Sequence, residues 1–69
     1  MTLDYKSFET GVYHIYRLNR YDNPDKIGSI VIFLDDEANK VGYFRPMDKL
    51  LNKKELEEIV QQIKVYESE

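Results

Sequence analysis

Cysteine and tryptophan are absent from this 69-residue chain, histidine occurs once, proline twice and glycine three times. Without thiols there is no disulfide framework, no thiolate nucleophile and no cysteine zinc site. A single imidazole, His14, gives little material for a histidine metal centre, so no metal or other cofactor is expected. The glycines are isolated, which excludes a phosphate-cradling glycine loop, and no serine sits in a nucleophile elbow. No run approaches the ~18 apolar residues of a membrane span. Met1 to Thr10, with Asp4, Lys6 and Glu9, lacks the apolar centre of a secretory signal. A soluble, cytoplasmic protein is expected.

What is present points to a folded chain. Hydrophobic residues make up 42%, with six tyrosines and three phenylalanines. The length suits a single small domain, residues 1–69, that buries only about 60% of its unfolded surface. With neither disulfide nor metal, self-association gains weight as a stabiliser, and a homodimer is one expectation. The net charge of −3 disfavours sequence-independent nucleic-acid binding, which rests on neutralising phosphates.

The pattern predicts an α+β fold, a three-stranded antiparallel β-meander followed by one C-terminal amphipathic helix packed on one face. Residues 1–10 read as a lead-in segment, in which Leu3, Tyr5 and Phe8 are free to cover sheet. Val12 to Arg20 is β-rich and alternates. Val12, His14, Tyr16 and Leu18 share one side, while Tyr13, Ile15, Arg17 and Asn19 share the other. Tyr21 to Lys26 reads as a turn around Pro24. A continuous apolar strand then runs from Ile27 or Gly28 to Asp35, and Val41 to Arg45 forms the third. Setting Asp35 opposite Lys40 places Ile32 opposite Tyr43, and puts Val31, Phe33, Gly42 and Phe44 together on one face.

The helix start carries the sharpest signal. Asn52 and Glu55 make a capping box, with Leu51 and Leu56 as a hydrophobic staple. Leu56, Ile59, Val60, Ile63 and Tyr66 fall on one stripe, with Val65 opposite it. Residues 67–69 read as a loose tail. One helix covers one sheet face, so the other must meet the N-terminal segment, a second copy or a ligand.

Each chemical motif has a plainer reading beside it. His14 has no sequence neighbour to act with and reads as a structural strand histidine, against the alternative of a small nuclease or toxin depending on it. Asp35 to Lys40 offers alternating oxygen ligands but fails the calcium-loop pattern at its third, sixth and twelfth positions, and reads as a solvated hairpin. Gly11-Val12-Tyr13 with Lys26-Ile27-Gly28 has the outline of the paired tripeptides of GIY-YIG nucleases. The second tripeptide lacks its tyrosine and no arginine-bearing helix follows, so no residue role is carried over. Lys49, Lys53 and Lys54 form a basic patch at the helix start, where first-turn lysines oppose the dipole at a cost of about a few tenths of a kcal/mol each.

Two functions from different classes remain. The first is a non-enzymatic protein-interaction module, a regulator, inhibitor or accessory subunit of the small acidic kind frequent among phage and mobile-element proteins. It would bind through a sheet face bearing Val31, Phe33, Phe44, Tyr16 and Leu18, or through an edge strand. The alternative is a single-stranded nucleic-acid binder using Arg17, Arg20 and Arg45 with Tyr13 and Tyr43.

Overall fold

The computed structural model describes residues 3–18, 21 and 23–69. Strands β1 (Leu3–Glu9), β2 (Val12–Leu18), β3 (Pro24–Leu34) and β4 (Lys40–Pro46) precede a helix, α1 (Lys53–Ser68). The strands form one antiparallel sheet in the order β1-β2-β3-β4. The α+β meander with its C-terminal helix is therefore as the sequence suggests, with a fourth strand where a lead-in was expected. Gly11, at φ 80°, turns the chain between β1 and β2, a conformation that a residue without Cβ adopts freely. Among the described residues no helix is long and apolar enough to cross a membrane.

Helix α1 starts where its capping chemistry dictates. The Asn52 side chain accepts from Glu55 N at 2.8 Å, and Glu55 Oε1 accepts from Asn52 N at 3.1 Å. Glu55 does more than cap. It is only 5% exposed, and its two carboxylate oxygens accept from Arg17 Nη1 at 2.9 and 3.0 Å. Arg17 thereby ties β2 to the first turn of the helix. Burial of the carboxylate is tolerable because both oxygens are bonded.

The core lies between helix and sheet. Leu3, Ile15, Ile27, Ile30 and Ile59 are buried, with Tyr5, Tyr13, Ile32, Phe44, Leu51, Ile63 and Tyr66 packed against them. Tyr66 stacks on Tyr13 at 3.8 Å and meets Tyr5 edge-on at 6.4 Å. The Tyr5 hydroxyl donates to Glu58 Oε2 at 3.2 Å. Burial, then the neighbouring Glu58 carboxylate, hold that hydroxyl well above the ordinary phenol range. Burial also raises Tyr66. Gly42 lets the helix approach β4, since a Cβ there would lie 2.8 Å from Ile63 Cγ2.

Several expectations are corrected at the helix. Leu56 and Val60 are about half exposed and lie outside the core, whereas Val65, also about half exposed, stands off the stripe as expected. The helix continues to Ser68 instead of ending in a loose tail. Its last turn holds the sheet edge: Glu67 Oε2 accepts from Gly42 N at 2.8 Å, and Lys40 Nζ donates to the Glu69 carbonyl. A carboxylate on an edge N–H occupies a group that would otherwise recruit another strand, so the Gly42 position of β4 is closed to strand addition.

Candidate functional site

Register assigns each side chain to a face, because directly paired residues share one. Leu3, Tyr5, Tyr13, Ile15, Arg17, Gly28, Ile30, Ile32, Gly42 and Phe44 lie under the helix; Tyr16, His14, Val12, Ser29, Val31, Phe33, Val41, Tyr43 and Arg45 lie on the opposite, open face. The β3–β4 register differs by one from the expected one: Leu34 pairs Lys40, Val31 pairs Tyr43 and Ile30 pairs Phe44. The cause is the turn. Asp35 N donates to Asn39 O at 3.0 Å, leaving three residues between them, with Ala38 at φ 63°. A three-residue loop with a left-handed last residue is a standard hairpin. A one-residue slip moves every side chain of the strand to the other face.

Of the expected interaction face, Val31, Phe33, Tyr16 and Leu18 are on the open side. Phe44 is not. It packs against the core over Gly28, where a Cβ would lie 2.8 Å from its Cζ. The expected nucleic-acid set is divided. Arg45 and Tyr43 are on the open face. Arg17 is bound to Glu55 and Tyr13 is stacked under Tyr66 on the helix side, so neither can meet a strand laid across the sheet. Arg20 lies outside the described residues. The basic patch near the helix start is partly neutralised, with Lys49 Nζ 3.1 Å from Asp25 and Lys53 Nζ 3.9 Å from Glu57.

The open face has two parts. Toward the β3–β4 turn lies an apolar band of Val12, Val31, Phe33, Val41 and Tyr43, in which Phe33 and Tyr43 meet edge-on at 5.7 Å. Phe33 is 45% and Tyr43 43% exposed. Phe8, expected as possible cover, is 74% exposed and only rests its ring 5.6 Å from His14. Leu3 and Tyr5 are on the other side of the sheet, so the N-terminal strand widens this face without covering it.

Across the middle runs a polar row. Lys6 pairs His14, His14 pairs Ser29 and Ser29 pairs Arg45, one residue from each strand. His14 Nδ1 is 3.4 Å from Ser29 Oγ. Beside the row a depression of about 420 Å³ is lined by Glu9, His14, Lys26, Ser29, Arg45 and Met47 with apolar neighbours. Lys6 Nζ lies 5.6 Å from the centre of the Tyr16 ring. Among the described residues no group of three histidine or acidic side chains comes together to hold a metal ion.

Lys26, Ser29 and Val41 are members of this face that the sequence pattern does not mark, whereas Val12 shares its side with Tyr16 and Leu18 as the alternation suggests. Lys26 and Ser29 are three apart, which puts them on opposite sides of a regular strand. The register shift that leaves Ile27 unpaired between Tyr16↔Lys26 and Ile15↔Gly28 brings them to the same side. The sequence reads as a turn up to Lys26, and the one local hint of irregularity beside it is Gly28, an isolated glycine within a strand. No protein-family model, curated protein or solved structure matches this chain.

Proposed function

We propose that the protein is a non-enzymatic interaction module, a small regulator or accessory subunit, which docks another protein on the open face of its sheet. The observation that carries this reading is the apolar band Val12, Val31, Phe33, Val41 and Tyr43, which neither helix nor β1 covers. A contiguous apolar patch with a polar border is the usual mark of a contact surface. The cations Lys6, Lys26 and Arg45 beside the band favour a partner that sets an acidic group among apolar side chains.

Size argues for an exchangeable contact. Three strands of seven residues and one of eleven, ~4.8 Å apart and ~3.3 Å per residue, give a flat area of roughly 510 Å². A stable standard interface uses about 800 Å² per partner. A permanent homodimer through this face alone is therefore disfavoured, and the face suits transient docking of a different protein.

The test is a photo-reactive phenylalanine analogue placed at position 33 or, as control, at position 60 on the outer side of the helix, in cells that naturally express the chain. A discrete cross-linked species from position 33 and none from 60 supports the reading. Equal labelling from both positions refutes it. A product at twice the chain mass identifies the occupant as a second copy and overturns the heterologous assignment.

A further inference from the structure

The polar depression on the open face has features that apolar docking does not explain. Among the described residues, Arg17, Lys49 and Lys53 pair with carboxylates, while Lys26 and Arg45, like Lys6, Lys54 and Lys64, do not; these two differ from the other three in lining the same depression. The chain carries a net charge of −3, so acidic groups are plentiful, yet these two cations line one bowl and face only Glu9 there. Lys26 reaches the bowl because of the bulge at Ile27. Bulges commonly re-aim a side chain beside a functional site.

We propose that this bowl is a seat for the phosphoryl group of a phosphate monoester, held by Lys26 and Arg45 with Ser29 and His14 at its floor. The donor geometry selects the ligand class. Arg45, Ser29 and His14 stand on three adjacent strands spaced at ~4.8 Å, and Lys26 approaches along β3. Donors spread around a concavity suit the three terminal oxygens of a tetrahedral phosphoryl group better than the two coplanar oxygens of a carboxylate. An arginine fork and a lysine supply charge-assisted bonds to such an anion. With its proton on Nδ1, His14 donates to Ser29 Oγ and leaves the serine hydroxyl proton free to point into the bowl.

The walls select the rest of the molecule. Val12, Val31 and Met47 line the same depression, and about 420 Å³ lies in the range of small-ligand sites. An ester whose organic part is apolar or flat fits these walls. The ester is either a free small molecule or a phosphorylated tyrosine side chain of a docked protein.

Glu9 supplies an internal control, because an acidic wall opposes an anion. Its neutralisation should strengthen binding while that of either cation weakens it.

The experiment is an amide chemical-shift titration of the full chain at constant ionic strength with phenyl phosphate, inorganic phosphate, benzoate and a tyrosine-phosphorylated peptide. Phenyl phosphate is expected to saturate with a Kd on the order of 1 mM or tighter, with shifts centred on His14, Lys26, Ser29 and Arg45, and benzoate to bind at least about tenfold more weakly. Lys26→Gln and Arg45→Gln each weaken binding about tenfold, and Glu9→Gln tightens it. These three side chains are outside the core, and the amide spectrum of each variant checks that it is folded. A peptide that binds more tightly than phenyl phosphate assigns the ester to a docked protein; equal or weaker binding assigns it to a free ligand. Non-saturating shifts, benzoate equal to phenyl phosphate, or no effect of Glu9→Gln overturns the proposal. No protein partner is used, so this result and the cross-linking result stand or fall separately.

Discussion

Replacing Glu55 with alanine removes two connections at once. The carboxylate closes the capping box on Asn52 N and receives Arg17 from the sheet. A charge-assisted bond of this kind contributes about 1.5–3 kcal/mol. The Arg17 side chain is 30% exposed, so water can recover part of its bonding and the lower end, about 1.5 kcal/mol, applies. Losing the reciprocal cap adds about 0.5–1 kcal/mol. The total is about 2–2.5 kcal/mol, against a net stability of roughly 3–10 kcal/mol for a chain of this size. Thermal unfolding followed by circular dichroism should show Tm lowered by about 10–20 °C. Glu55→Gln, which keeps an acceptor for Asn52 N and loses the charge, should fall about midway. A double-mutant cycle with Arg17→Met should give a coupling of at least about 1 kcal/mol. A Tm change below about 3 °C for Glu55→Ala, or strictly additive single effects, would refute the joint role of this carboxylate.

Three further changes probe the fold on both sides of the sheet. Ala38→Gly should stabilise by about 0.5–1 kcal/mol in urea unfolding, because Ala38 holds a left-handed φ of 63° that costs more with a Cβ than without one. Gly28→Ala should destabilise by about 1–3 kcal/mol in the same assay, since its Cβ would lie 2.7 Å from the Arg45 carbonyl oxygen as well as against the Phe44 ring. The raised Tyr5 and Tyr66 hydroxyls make stability fall in alkali. The unfolded chain releases these protons near its ordinary value of about 10 while the folded chain retains them. Stability present below that pH is therefore lost as pH rises toward the folded-state values. The urea midpoint should decline from about pH 10 upward, and less steeply in Tyr5→Phe.

Local chemistry made part of this fold legible and geometry between elements hid the rest. Asn52 and Glu55 announce the helix start because both halves of a capping box lie within one turn. The alternation from Val12 to Leu18 assigns Tyr16 and Leu18 to the open face. β1 was missed because Asp4, Lys6 and Ser7 are weak strand formers, and its pairing shifts between Lys6 and Glu9, which interrupts the alternation. Phe44 was assigned to the wrong face because the loop closes on Asp35 and Asn39 without the glycine that normally marks the left-handed position. Lys26 reads as part of a turn because Asn23 and Pro24 precede it, and Gly28 alone is too weak a signal to fix the bulge at Ile27. Arg17 and Tyr13 had the composition of a nucleic-acid surface, and only the placement of Glu55 and Tyr66 on the helix reveals that they are already engaged. Helix periodicity likewise overstates the core at Leu56 and Val60, because the sheet beneath is contacted mainly through Ile59, Ile63 and Tyr66.

The central claim is that the open face is solvent-accessible in the free chain and becomes the contact surface. Broadening of side-chain methyl resonances by a soluble paramagnetic agent, recorded free and with the cross-linked partner added, tests it directly. The methyls of Val12, Val31 and Val41 should be broadened in the free protein and shielded in the complex, while those of Leu56, Val60 and Val65 remain broadened in both. Open-face methyls already shielded in the free chain, or shielding confined to the outer side of the helix, would contradict the account.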